Sequence, residues 1–264
     1  MGLKVCSFNV NSIRARKELI LKWLQEKEKN IDILCLQEVK VQEELFPYKD
    51  FEEIGYKAVV YSQKAYNGVA VLLRRNIDHI IKGIGDEYFD QQKRVLSVKT
   101  GDLWIINVYA PHGDLRGEDK YYYKLDWYRR FSQFLKDNFS PEEKIIMVGD
   151  FNVAIEDKDV WNPELLKDSI GTMPEEREAF RNILNWGFVD CFRYLYPDKK
   201  QFTWWDYIGG AVWRDEGMRI DYILATKPVV EHLKDIYVDT WTRKRRKPTP
   251  SDHAPVIGLF EGIK

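Results

Sequence analysis

The chain has 264 residues, 44% of them apolar and 31% charged, with a net charge of −1. That is enough for one large α/β or all-β domain with a sizeable core, while the balanced charge singles out no partner. No apolar run approaches the ~18 residues of a membrane span, and no secretory leader is expected at the N-terminus.

The apolar runs, taken in chain order, read as strands, being short, rich in β-branched residues and bounded by turn formers. "LKVCSFNV" opens the chain and leads to Asn9 and Asn11. A helix is predicted from a Ser12 N-cap to about Lys29, with Ile13, Ile20, Trp23 and Leu24 on one face. "DILCLQEV" follows and ends at Glu38; then come "YKAVVY", "GVAVLLR", "RVLSVKT" and "LWIINVYA", the last leading to Tyr109 and His112. A second helix is predicted over 118–138, with Tyr121, Leu125, Tyr128, Phe131 and Leu135 inward. "EKIIMVGDF" carries Asp150 and Asn152 at its end, and Gly149 is expected to let the chain turn sharply there. A third helix is predicted to start at a Thr172/Glu175 capping box, with Pro174 in its first turn, and to stop at Gly187. "MRIDYILAT" holds Asp221 inside an apolar run, and "PTPSDHAPV" places Asp252 and His253 before the final strand "APVIGLF". Many strands with few helices suggest two packed sheets with helices outside, their strand ends meeting at one rim. No repeat, low-complexity tract or flexible linker interrupts the chain, so a single domain over residues 1–264 is expected. The odd set Cys6, Cys35 and Cys191 fits reduced thiols of a cytoplasmic protein, without zinc spacing or a disulfide framework.

Taken singly, each polar residue has an ordinary reading. Asn and Asp end strands as turn formers; Glu38 suits a surface, Asp221 could pair with Arg219, and His253 could be structural. Together they supply carboxylates, amides and one imidazole. Oxygen ligands without a Cys/His cluster suit Mg²⁺ or Mn²⁺ rather than zinc. Such a cation stabilises charge on a phosphoryl oxygen and its leaving group. No nucleophile elbow or P-loop is present, and "GIGDEY" lacks the third glycine of a dinucleotide fingerprint, which leaves direct attack by water.

"FNVNSIRAR", "DILCLQEVK", "GDFN", "TWWDY", "GMRIDYILA" and "PSDHAPV" occur in one order along essentially the whole chain. In this the chain resembles the exonuclease III family of abasic-site endonucleases, within the endonuclease/exonuclease/phosphatase superfamily. The resemblance implies an α/β four-layer sandwich, with two mixed β-sheets packed face to face and helices on the outer faces. It implies Mg²⁺-dependent cleavage of duplex DNA 5′ to an abasic site, leaving a 3′-hydroxyl, and 3′–5′ exonuclease or 3′-phosphodiesterase activity in many members. It further implies a monomer without membrane attachment, acting in the cytoplasm on the nucleoid, or in a nucleus. Glu38 then resembles the principal metal ligand, with Asn9, Asn11 and Asp252 in or near the metal shell. Asp150 resembles the acid that handles the attacking water or the leaving oxygen, while Asn152 and Tyr109 match phosphate contacts. His253 would sit on the phosphate, paired with Asp221; either it or Asp150 could be the general base.

Arg14, Lys40 and Tyr66 match family positions that touch DNA. His112 stands where members often have Asn or Gln, and Met218 where they often have Trp or Leu. Met218, Trp204 and Ile220 would wall the abasic-sugar pocket, one Trp of "TWW" being core instead. The run Arg243, Lys244, Arg245, Arg246 and Lys247 is expected to neutralise phosphates beside the rim, unless it is only a solvated loop. Other phosphodiesterases of the same fold, or a DNA-binding module without catalysis, remain alternatives on sequence alone.

Overall fold

In a computed structural model, which describes residues 2–26 and 29–263, the strands form two six-stranded sheets and a two-stranded ribbon. The first sheet runs Leu233–Val238, Val256–Glu261, Gly2–Asn9, Ile33–Gln37, Val69–Leu73, Lys57–Tyr61 in space. The second runs His79–Lys82, Val95–Thr100, Leu103–Tyr109, Lys144–Asp150, Asp221–Thr226, Phe188–Asp190. Each sheet has one parallel pair at its centre: Gly2–Asn9 with Ile33–Gln37, and Leu103–Tyr109 with Lys144–Asp150. A parallel pair requires a crossover, and the helices Ile13–Glu26 and Asp119–Asn138 provide the two.

Strand alternation sorts the side chains into layers. Val5, Cys35 and Val71 of the first sheet meet Val98, Ile105 and Val148 of the second. Their neighbours face outward, Phe8 onto Ile20 and Trp23, and Ile106 and Met147 onto Trp127, Phe131 and Phe180. Each fully buried Ile or Phe contributes about 1.5–3 kcal/mol, so both outer helical layers are firmly held. The result is the expected four-layer α/β sandwich of two mixed sheets.

Two amides cross the interface between the sheets near the rim. Gln37 Nε2 donates to Asn107 Oδ1 (2.8 Å), and Asn107 Nδ2 donates to the carbonyls of Leu36 (3.0 Å) and Ala70 (2.9 Å).

The structure corrects several local expectations. Gly149 has φ +149° but stays within its strand, paired with Tyr222 and Val108. A Cβ there would lie 1.8 Å from the Val108 carbonyl oxygen, so the glycine permits close strand approach rather than a turn. The third helix spans Pro174–Gly187, and the acid that returns to its first turn is Glu176, not Glu175. Glu176 Oε1 accepts from the amides of Gly171 (2.8 Å) and Met173 (3.2 Å), while Glu175 pairs with Arg116 on the surface. "MRIDYILAT" is not one strand: Gly217–Met218 pairs with Trp204–Trp205, and the sheet strand begins at Asp221. In the second helix Lys124 is buried and Leu125 only half-buried.

Candidate active site

Strands of a parallel pair present their carboxyl ends on the same side, where α/β proteins place ligands. Both parallel pairs end at one rim. Asn9 is the last residue of its strand, opposite Gln37, and Glu38 follows directly. Tyr109 and Asp150 end theirs in register, and Asp221 starts the antiparallel neighbour opposite Asp150. Asn9 joins the two sheets, since its Nδ2 donates to Glu38 Oε2 (2.7 Å) and to Asp150 Oδ2 (2.9 Å). Its Oδ1 accepts from the Asn11 amide (3.1 Å), which sets the orientation of the side chain.

His253 Nδ1 lies 2.8 Å from Asp221 Oδ2, and its Nε2 lies 3.6 Å from Asp150 Oδ2 and 3.9 Å from Asp252 Oδ1. Hydrogen bonds to the main chain hold this segment. Ser251 Oγ donates to the Asn9 carbonyl (2.7 Å), Trp205 N to Asp252 O (3.1 Å) and Ala254 N to Thr203 O (2.8 Å). Asp221 thus pairs with His253; Arg219 turns away to Asp159 and Asp190.

Burial alone would lower the imidazole pKa, but Asp221 and then Asp150 raise it well above the ordinary histidine value. The Asp150 carboxyl is pushed up to about 8, first by burial, then by the charge of Asp221. Burial and the charge of Glu38 likewise raise the Tyr109 phenol well above its usual value, and Tyr109 hydrogen-bonds Glu38.

Four carboxylates, Glu38, Asp150, Asp221 and Asp252, share this hollow with His253 and Lys40, and Asp221 Oδ1 is buried without a hydrogen-bond partner among the described residues. The excess of negative charge fits a divalent cation. Among the described residues, Glu38, Asp150 and His253 offer ligand atoms all within 4.8 Å of one another. With His253 directed to Asp221, the oxygens of Glu38 and Asp150 are the donors best suited to a hard ion, beside Asn9. Asn11 and Asp252, predicted near the metal, flank the hollow. Asn11 Oδ1 accepts from Lys40 (2.7 Å), and Asp252 Oδ2 accepts from Trp204 Nε1 (3.1 Å).

Asn152 adopts φ +51°; its amide nitrogen donates to the Ala110 carbonyl (2.8 Å), and its main-chain N–H to Asp150 Oδ1 (2.9 Å). Beyond it the cleft is walled by Trp204, Met218 and Ile220, which pack with Ala154 and Val160. Trp205 is the tryptophan of the pair that joins the core. His112 lines the same cleft, with its pKa lowered by burial and then by Lys124.

Of the remaining predicted DNA contacts, Arg14 is exposed on the first turn after Asn11, Tyr66 is 70% exposed, and Lys40 sits 3.4 Å from Glu38. The basic run divides. Lys244, Arg246 and Lys247 are exposed, and Arg245 stacks on Trp241 at 3.7 Å. Arg243 corrects its expectation: it is buried, donates to the Trp205 and Asp206 carbonyls, and packs over Tyr207. Sequence reasoning misses Arg16 and the bracing of Asn11 by Arg16 together with Tyr207 of "TWWDY". Tyr207 Oη contacts Arg16 Nη2 (3.2 Å) and Asn11 Nδ2 (3.4 Å) and donates to Pro250 O (3.0 Å). Nothing in local spacing marks that bracing, because its members are distant in sequence.

A rim of acids, amides and one acid-held imidazole on two packed sheets defines a phosphoesterase site. Residues 6–253 match the Endonuclease/Exonuclease/phosphatase family, and the chain belongs to that family. It is 35% identical to an exodeoxyribonuclease of Bacillus subtilis over 260 residues, 96% of this chain and 98% of the relative. An AP endonuclease from Archaeoglobus fulgidus superposes with TM-score 0.93 at 37% identity, covering 98% of this chain and 99% of that one. A 3′ phosphatase from Neisseria, solved with a product DNA hairpin, superposes with TM-score 0.92 at 34% identity, covering 98% and 99%. The expected kinship with exonuclease III-type enzymes is therefore established, and the chain is an enzyme of that type.

Proposed function

We propose that this enzyme is a Mg²⁺-dependent DNA repair nuclease that hydrolyses the phosphodiester 5′ to an abasic site in duplex DNA, leaving a 3′-hydroxyl, with 3′-end activity as well. The observation that carries the reading is the adjacency of the Glu38–Asp150–His253 cluster to a pocket of Trp204, Met218 and Ile220, apolar enough for an extruded sugar without a base. A divalent ion held by Glu38 and Asp150 would supply Lewis-acid stabilisation of the phosphoryl and leaving oxygens. The protein groups divide the rest. Asp150 accepts the proton of the attacking water, being the acid at the strand end beside the cation site. His253, kept charged by Asp221, lies against the phosphate as an imidazolium and neutralises charge rather than acting as base. Tyr109 and Asn152 orient the phosphate, and Asn9 keeps Glu38 and Asp150 in register.

The direct test is a labelled duplex with one abasic site, incubated with Mg²⁺ or with EDTA, beside a panel of soluble phosphoesters. Mg²⁺-dependent 3′-hydroxyl ends on the abasic duplex support the reading; turnover of the soluble esters alone overturns it. Glu38→Gln should shift the Mg²⁺ concentration for half-maximal rate upward by at least about tenfold; an unchanged titration removes Glu38 as a ligand. Replacing Lys244, Arg246 and Lys247 with Gln should lower the slope of log affinity against log salt by about 1 for each phosphate no longer neutralised, read by fluorescence anisotropy. An unaltered slope makes these residues solvated surface.

A further inference from the structure

The helix Asp119–Asn138 turns one charged side chain inward, away from the acids and the imidazole of the rim. Lys124 and Glu176 form an ion pair in which both side chains are 1% exposed. Such pairs are poor stabilisers, because desolvating two charges offsets most of their attraction. The hydrogen bonds around this one lead to the cleft. Lys124 Nζ donates to Glu176 Oε2, to the main-chain carbonyl of Asn152 (2.7 Å) and to that of His112 (3.1 Å). Glu176 Oε1 receives the amides of Gly171 and Met173. Two glycines clear the space. A Cβ on Gly113 (φ +82°) would lie 2.8 Å from Lys124 Cδ, and one on Gly171 (φ +90°) 3.2 Å from the Asn152 carbonyl oxygen.

We propose that Lys124 and Glu176 are positioning residues that lock three cleft loops to one another: the loop of His112, the loop of Asn152 and the pocket wall at 168–171. The left-handed backbone of Asn152 persists because Lys124 holds its carbonyl from behind. The pair therefore sets the spacing between the phosphate contact and the pocket wall without touching substrate. The kinetic consequence rests on the proposed function; the structural one does not.

The test is the double variant Lys124→Met/Glu176→Met, which removes both charges and so leaves neither stranded. It should fold but melt several degrees below wild type, since the amides of Gly171 and Met173 lose their acceptor, and should lose about 100-fold in kcat on abasic duplex with KM little changed, as expected when reacting groups are misplaced by ~1 Å. Amide hydrogen exchange at 110–113 and 168–173 should quicken together, while the strands keep their protection. Glu176→Gln, which retains Lys124, the side-chain shape and one of the two acceptor oxygens, should recover part of the rate lost in Glu176→Ala and serves as the readout if the double variant does not fold. Wild-type kcat and unchanged exchange in a folded double variant overturn the proposal, as does a Glu176→Gln variant no faster than Glu176→Ala. If wild-type protein does not cut abasic DNA, the functional reading has failed, and the hydrogen exchange alone decides whether the loops are locked.

Discussion

Asp150→Asn yields a folded protein whose cleavage of abasic duplex is slowed by about 10²–10⁴-fold, the range for a missing proton acceptor. That corresponds to about 3–5 kcal/mol of transition-state stabilisation. The isosteric amide keeps the Asn152 N–H bond at Oδ1 but takes no proton from water. The substitution has a second signature without substrate. Burial and Asp221 raise the folded-state pKa of Asp150 from 3.8 to about 8, so its ionised form is disfavoured by the fold. A raised carboxyl contributes stability that is complete below the unfolded value and lost as pH climbs through the folded one. In EDTA, wild-type melting temperature should therefore fall between about pH 4 and pH 8 more steeply than that of Asp150→Asn, the variant being the more stable at the alkaline end. Calorimetry across that window checks the sign. Near-normal turnover in the variant removes Asp150 from the mechanism.

His253→Ala has the other large effect, and it should damage both rate and fold. Asp221 is buried, and one of its two oxygens already lacks a partner. Removing the imidazole strands the whole carboxylate, which costs about 3–5 kcal/mol for a buried pair broken on one side. The raised pKa of His253 means the pair stabilises fully below the unfolded histidine value and weakens as pH rises through the folded value. The drop in melting temperature should accordingly be greatest near pH 5–6 and shrink in alkali, about pH 6.5 being the unfolded value. At neutral pH the rate should fall by about 10²–10³-fold as the positive charge beside the phosphate disappears. A loss of stability that grows as pH rises would mean that His253 is neutral in the fold, and the assignment of charge neutralisation would then fail.

The rim is legible in sequence because its residues interrupt apolar strands where a turn former would have sufficed. Glu38 after "DILCLQ" and Asp221 within "MRIDYILA" are conspicuous for that reason, and the need of Asp221 for a buried partner is clear even though Arg219 competes for the role. What chooses between them is three-dimensional: Arg219 is taken by Asp159 and Asp190, and His253 arrives at Asp221 on a distant segment. Two edge strands are hidden by their chemistry. His79–Lys82 is mostly exposed, and Leu233–Val238 carries an irregularity at Asp235, so neither shows clean alternation. The cap at 172–176 is ambiguous because Glu175 and Glu176 both offer an acid near the helix start. Lys124 is invisible, since a lysine among aromatics at helical spacing looks like the solvent side of an amphipathic helix. The density of the basic run carries no information about which member folds inward, and Arg243 does so only because two carbonyls and the Tyr207 ring wait for it.

The amides of Gln37 and Asn107 have a mechanical consequence. Glu38 hangs from one sheet and Asp150 from the other, so the gap between the two acids is the gap between two slabs that greasy packing alone would let slide. Gln37 directly precedes Glu38, and Asn107 lies two residues before Tyr109, so their bond pins the slabs at the edge where alignment matters.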